Sequence, residues 1–256
     1  MNIGCGLPWV ALPGPLGKMF LERFVKQCGD QAGIYKFSVL PVRGFNPDPA
    51  VWKERVTTYE HPWNPRTGLG YWRDLFSSKP ERAHLADMLF FDREAAKKTD
   101  QLGQWGTPLV MHHLVSKWQG NWLEVYPGLG VTGQGLLAYI RQRPLKLVLD
   151  LHHIQRHPWE NETDGVFMGL WQTWVPDLLA TGHVTMIDVQ FRSINELKHF
   201  LSGEEGSTVR DMLLCAKSRG FDGLFRIELG LGLRYHLSMK RVVATIGQIS
   251  LALRNL

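Results

Sequence analysis

Three short runs in the second half of the chain constrain the fold more than any other feature. Residues Leu145 to Leu151, Val184 to Val189 and Leu224 to Leu229 are mostly apolar and rich in branched side chains. Strands buried on both faces read this way, whereas a half-exposed strand alternates. Each run is followed by apolar residues at helical spacing. Phe167, Leu170, Trp171, Trp174, Val175 and Leu178 follow the first. Ile194, Leu197 and Leu201 follow the second, and then Val209, Met212, Leu213 and Ala216. Val242, Ile246, Ile249 and Leu253 follow the third. Gly220 and Gly223 punctuate the turn before Leu224.

The first half repeats the rhythm less cleanly. Asn2 to Leu7 reads as a weak strand, and Phe20, Leu21, Phe24, Val25 and Cys28 form a helical stripe. Strands are expected at Gly33 to Val42, Val56 to His61, Thr107 to His112 and Trp122 to Tyr126. Helix is expected at Pro49 to Arg55, Pro80 to Trp105 and Gly133 to Arg141. Strands alternating with helices argue for a parallel α/β sheet. Eight such units in roughly 250 residues match a (β/α)8 barrel, so one barrel domain over residues 1–256 is expected. An open doubly wound sheet is the alternative. No GxGxxG follows the first strand, so a dinucleotide site has little support. The glycines of Gly128-Leu-Gly130 and Gly230-Leu-Gly232 read as turn residues.

Composition narrows the setting. With 44% hydrophobic and 21% charged residues, the chain can bury a core without disulfides or a structural metal. Its charge-free start, Met1 to Gly17, is broken by Pro8, Pro13, Pro15 and four glycines. A membrane span needs about 20 continuous apolar residues, so none is expected there. Cys5, Cys28 and Cys215 are few and widely spaced, which reads as reduced thiols in a cytoplasm. The net charge of +5 comes without a basic run and reads as a solvated surface.

The functional signal is where charge interrupts the apolar runs. Glu124, Asp150, Asp188 and Glu228 each sit near the C-terminal end of an expected strand. In a barrel those ends share one rim, where active sites form. Any one such carboxylate can simply cap a helix or pair with an arginine. Four together would repel and raise one another's pKa unless a cation joins them. Arg226 shares strand parity with Glu228, which allows a structural ion pair one layer below it. Gln190 and Arg192, at and just past the end of strand seven, are candidates to touch substrate. Trp63, Trp118 and Trp159 follow strands three, four and six, where they suit either a sugar face or core packing.

These motifs resemble the xylose-isomerase-like barrel superfamily of sugar epimerases, sugar-phosphate isomerases and endonuclease IV enzymes. Leu147-Val-Leu-Asp150-Leu-His-His153 is similar to its strand-six D-x-x-H motif. Gly220-Phe-Asp-Gly-Leu-Phe-Arg-Ile-Glu228 is similar to its last strand, and Trp122-Leu-Glu124 to its strand-five glutamate. His61 and His112 stand where its strand-three and strand-four histidines do; strand alternation lets only one of His112 and His113 face inward, and His112 is chosen by register. The resemblance implies a divalent metal held by Glu124, Asp150, Asp188 and Glu228, with His61, His112 and His153 at the substrate. It implies an isomerase or epimerase of sugars or sugar phosphates that moves a proton through an enediolate, using Glu124 and Glu228. Two departures stand out. Strand seven usually offers a histidine where this chain has Asp188, so hard carboxylate ligands favour Mg²⁺ or Mn²⁺ over Zn²⁺. The D-x-H that endonuclease-like members carry after strand seven is missing from Phe191 to Glu196, which weighs against a DNA phosphodiesterase and a nucleic-acid partner. A non-catalytic barrel with a degenerate metal site is the further alternative, and homo-oligomeric assembly is left open.

Overall fold

The computed structural model describes residues 1–6, 15–39, 49–60, 109–111, 122–125, 146–156, 171–204, 206–231 and 233–256. Their strands are β1 (Asn2–Gly6), β2 (Phe37–Val39), β3 (Val56–Glu60), β4 (Leu109–Met111), β5 (Trp122–Val125), β6 (Lys146–Asp150), β7 (Val184–Phe191) and β8 (Leu224–Leu229). Their helices are α1 (Pro15–Ala32), α2 (Pro49–Trp52), α3 (Leu151–Arg156), α4 (Trp171–Ala180), α5 (Ile194–Ser202), α6 (Thr208–Ser218), α7 (Leu233–His236) and α8 (Met239–Arg254). The architecture is parallel α/β, as the alternation of buried runs and helical stripes predicts. The helices expected at Pro80 to Trp105 and Gly133 to Arg141, and Trp63, Trp118 and Trp159, lie outside the described residues. Among the described residues no helix is long and apolar enough to cross a membrane. Cys5, Cys28 and Cys215 form no disulfide with one another.

The chain divides into two compact units. One comprises Met1–Gly4, Val110–Gly230 and Gln248–Leu256, and the other Cys5–Leu109 and Leu231–Gly247. In the second unit β2 lies parallel to both β1 and β3. Helix α1 exists because its apolar residues fall on one stripe: Leu21, Phe24, Val25 and Cys28 are all buried. It ends where Gly33 takes a φ of 63°, in the left-handed region that glycine adopts without a Cβ penalty. The N–H groups of Gly33 and Ile34 then bond the carbonyls of Gly29 and Cys28. Buried Phe37 of β2 meets Trp52 edge-on, with ring centroids 6.5 Å apart.

The first unit holds a run of parallel strands in chain order: β4 with β5, β5 with β6, β6 with β7 and β7 with β8. Its core is the set of apolar strand residues read from the sequence. Leu147, Val148, Leu149, Met186, Ile187, Val189, Phe225 and Ile227 are all buried. Helix α6 buries Val209, Met212, Leu213 and Ala216, the predicted stripe. Helix α5 departs from expectation: it buries Leu197 and Phe200, while Ile194 is 48% exposed. Ile194 is the first residue of the helix, so the apolar face starts a turn later. Between α6 and β8 the chain turns at Gly220, whose φ is 75°.

Register fixes what faces what. Asp150 of β6 is partnered with Asp188 of β7, and Asp188 with Arg226 of β8. One layer further toward the C-terminal ends, Gln190 is partnered with Glu228. Side chains alternate across a strand, so Asp188 and Gln190 share a face, as do Arg226 and Glu228.

Candidate functional site

The polar cluster at the ends of β6, β7 and β8 is built around Arg226. Its guanidinium is 1% exposed and faces Asp188, which is fully buried. Arg226 donates from Nε to Asp188 Oδ1 over 2.6 Å and from Nη2 to Asp188 Oδ2. This two-pronged pairing matches the planar fork of the guanidinium to the plane of the carboxylate. A charge cannot stay buried without such a partner. The same Nη2 lies 3.0 Å from Oε1 of Glu228, so one cation serves two carboxylates. Arg226 is thus the ion-pairing residue that strand parity allows.

From Glu228 the network runs outward. Gln190 Nε2 donates to Glu228 Oε2 over 3.0 Å, and Arg192 Nε donates to Gln190 Oε1 over 3.2 Å. The amide of Gln190 therefore links a carboxylate on one side to a guanidinium on the other. Glu228 keeps some access to solvent, with 16% of its side chain exposed. Gly230 shapes the rim beside it. A Cβ there would sit 3.0 Å from Cγ of Arg192, so the missing side chain is what lets the Arg192 stem lie across the end of β8. The terminal amino groups of Arg192 make no hydrogen bond to any described residue.

Helix α5 anchors the other side. Ser193 is its N-cap and accepts a hydrogen bond from the N–H of Glu196 over 3.1 Å. Glu196 folds back so that its Oε2 accepts from the N–H of Arg192 over 3.3 Å. Its Oε1 lies 3.9 Å from Nδ1 of the buried His152. Asp150 has a local role: its Oδ1 accepts the N–H of His152 over 2.8 Å, which caps α3 just as that helix leaves β6.

Of the residues singled out in the sequence, the structure brings Asp188, Glu228, Gln190 and Arg192 into one hydrogen-bonded network through Arg226. Asp150 stands beside Asp188 in register but turns to its own helix. Glu124 lies in β5 and His153 in α3, with side chains outside the described residues. His61, His112 and His113 lie outside the described residues altogether. Two members of the cluster were not among the candidates. Glu196 had a signal, since Ser193-Ile-Asn-Glu196 has the spacing of a capping box. His152 had none, because the neighbouring His153 carried the D-x-x-H match.

Of the carboxylates that the resemblance assigns to a divalent cation, the described pair Asp188 and Glu228 is not arranged to hold one. Both oxygens of Asp188 already accept from Arg226, and both oxygens of Glu228 face donors. A buried guanidinium also holds positive charge where a metal would have to sit, and like charges repel strongly at low dielectric. Among the described residues no group of three or more His, Cys, Asp or Glu side chains is arranged to hold a metal ion.

No protein-family model matches the chain, and no curated protein sequence does. Solved structures that it is similar to include the apo form of 3-keto-D-glucoside 4-epimerase YcjR from E. coli, at 13% identity and a TM-score of 0.42 over the whole of both chains. A probable 2-pyrone-4,6-dicarboxylic acid hydrolase from Acinetobacter baumannii with citric acid bound follows at 9% identity and a TM-score of 0.41, over 98% of this chain and 94% of that one. A D-tagatose 3-epimerase-like protein has 13% identity and a TM-score of 0.40 over 98% of each chain.

Proposed function

We propose that residues 1–256 form one closed (β/α)8 barrel that isomerises or epimerises a sugar or sugar phosphate in the cytoplasm. The observation that carries the reading is Glu228: a partly exposed carboxylate at the end of β8, fixed from one side by Arg226 and from the other by Gln190. A carboxylate held in one orientation suits proton abstraction from a carbon next to a carbonyl. The C–H bond breaks, the proton passes to Glu228, and the electron pair forms an enediolate. Return of the proton to the opposite face gives the epimer; return to the neighbouring carbon, with the hydroxyl proton passing from one oxygen to the other, gives the isomer. Glu228 keeps partial exposure, which gives a substrate access to it. Arg192, steered by Gln190 and with its terminal amino groups unengaged by described residues, orients a substrate hydroxyl or phosphate. Glu124 as the second proton-transfer carboxylate, and His61, His112 and His153 at the substrate, complete the reading by the family resemblance.

The test is proton exchange. Ketoses, aldoses and their phosphates are incubated with the full chain in D₂O and followed by NMR. Deuterium should enter next to the carbonyl of at least one substrate, and Glu228→Gln should abolish this. If sugars bind, as saturation-transfer NMR would show, but none exchanges, the catalytic reading fails. The non-catalytic barrel, which the engagement of Asp188 by Arg226 favours, then takes its place.

A further inference from the structure

Four carboxylates at neighbouring strand ends call for a cation, and the chain supplies one of its own. We propose that Arg226 is the resident cation of this site: its guanidinium takes the place of a divalent metal between Asp188 and Glu228, and no divalent cation binds there. Three observations carry this. The register of β7 and β8 sets Arg226 directly beside Asp188 and one layer below Glu228. Arg226 and Asp188 are both buried, so their charges are removed from water and answered by each other. Every carboxylate oxygen of the pair Asp188 and Glu228 faces a donor from Arg226 or Gln190.

The chemistry of the guanidinium makes the substitution permanent. A lysine could shed its proton when a metal arrived, but an arginine stays charged. A metal entering between these carboxylates would have to displace a two-pronged hydrogen bond and then sit beside the displaced positive charge. The consequence for ligands is specific. A metal offers open coordination positions and acts as a Lewis acid, whereas Arg226 offers only hydrogen bonds and a fixed charge. Its role is therefore that of a positioning residue, which holds Glu228 in place. None of this depends on which substrate the site takes or whether it turns one over.

Cation binding tests it without any substrate. Mn²⁺ is titrated into the full chain, purified without chelator and then dialysed, and binding is read from loss of the free-Mn²⁺ EPR signal. Melting temperature is followed in parallel with Mn²⁺, Mg²⁺ or EDTA. The wild type should bind no Mn²⁺ that depends on Asp188 or Glu228, and its melting temperature should not move. Mn²⁺ bound equally by wild type, Asp188→Asn and Glu228→Gln lies elsewhere and leaves the pairing as proposed. Arg226→Ala empties the cation position, so it should gain Mn²⁺ binding. Its melting temperature should rise by about 5–10 °C at a hundredfold excess over Kd. One equivalent of Mn²⁺ on the wild type that Asp188→Asn or Glu228→Gln removes would overturn the proposal. So would a folded Arg226→Ala that gains no Mn²⁺ binding. Should Arg226→Ala fail to fold, the wild-type titration against the two carboxylate variants still decides.

Discussion

Replacing Arg226 by methionine keeps most of the buried stem and removes only the charge and its donors. The cost follows from what is left behind. Asp188 is fully buried and loses its two-pronged partner, and Glu228 loses the Arg226 donor at its Oε1. Breaking one side of a buried ion pair typically costs about 3–5 kcal/mol, because the remaining charge is stranded. Glu228 adds less, since it is partly exposed and keeps Gln190. For a chain of this size each kcal/mol moves the melting temperature by about 2–4 °C, so Arg226→Met should melt about 6–20 °C below the wild type. The companion change Asp188→Val removes the stranded carboxylate with a branched residue suited to a buried strand. Buried ion pairs replaced on both sides are often neutral or better, so the double variant should recover at least about 2 kcal/mol of the loss. Urea unfolding followed by circular dichroism measures all four members of the cycle, and a common m-value licenses the comparison. A loss below about 1 kcal/mol for Arg226→Met is what an exposed pair would give, and would refute the reasoning.

Two further outcomes follow from packing. Gly223→Ala should destabilise by about 1–3 kcal/mol, since its Cβ would lie 2.4 Å from the backbone carbonyl oxygen of Thr185 in β7 and 2.6 Å from the Phe221 ring, which packs edge-on against Phe225; an unchanged urea midpoint would contradict that close approach. Of the three thiols, only half-buried Cys215 should react with Ellman's reagent in the native state, because Cys5 and Cys28 are buried. Burial pushes the Cys28 thiol from 9.0 up to about 12, so the folded chain keeps a proton that the unfolded chain releases. The resulting stability is fully present below pH 9 and is lost as pH rises toward 12, and Cys28→Ala should remove that part of the alkaline decline.

Strand positions were legible where the chemistry left no choice. Residues Leu224 to Leu229 read as a strand end to end and form β8 over that span. Four of its six residues are apolar and bulky, and no helix competes over six residues between glycines. Strand β7 runs two residues beyond its apolar run, through Gln190 and Phe191, because the polar side chain of Gln190 is satisfied inside the sheet by Glu228 and Arg192. Helical stripes were legible for α6 and α8, where every predicted residue is buried. For α5 the stripe was displaced, since periodicity does not say which residue opens a helix, and Ser193 as the N-cap does.

The candidate site was legible in its membership more than in its pairing. Parity placed Arg226 with Glu228 on a common face, because alternation along a strand is a local rule. Which residue of β7 stands opposite which residue of β8 is not local. It depends on how the crossover through α5 and α6 returns the chain to the sheet, and registers here do not advance uniformly: β6 and β7 slip between Leu147 and Val148. Counting carboxylates at strand ends therefore says that a cation is needed without saying which one. Once register sets Asp188 beside Arg226, the charge requirement for that pair is met inside the chain. The sequence already held the discriminating residue, two positions before Glu228 on the same face of the same strand. A cluster of acidic strand ends argues more strongly for a metal where no arginine shares their layer. Where one does, the guanidinium competes for the same oxygens without the entropy of capturing an ion, and the cluster describes a fixed charge network with one carboxylate turned toward solvent.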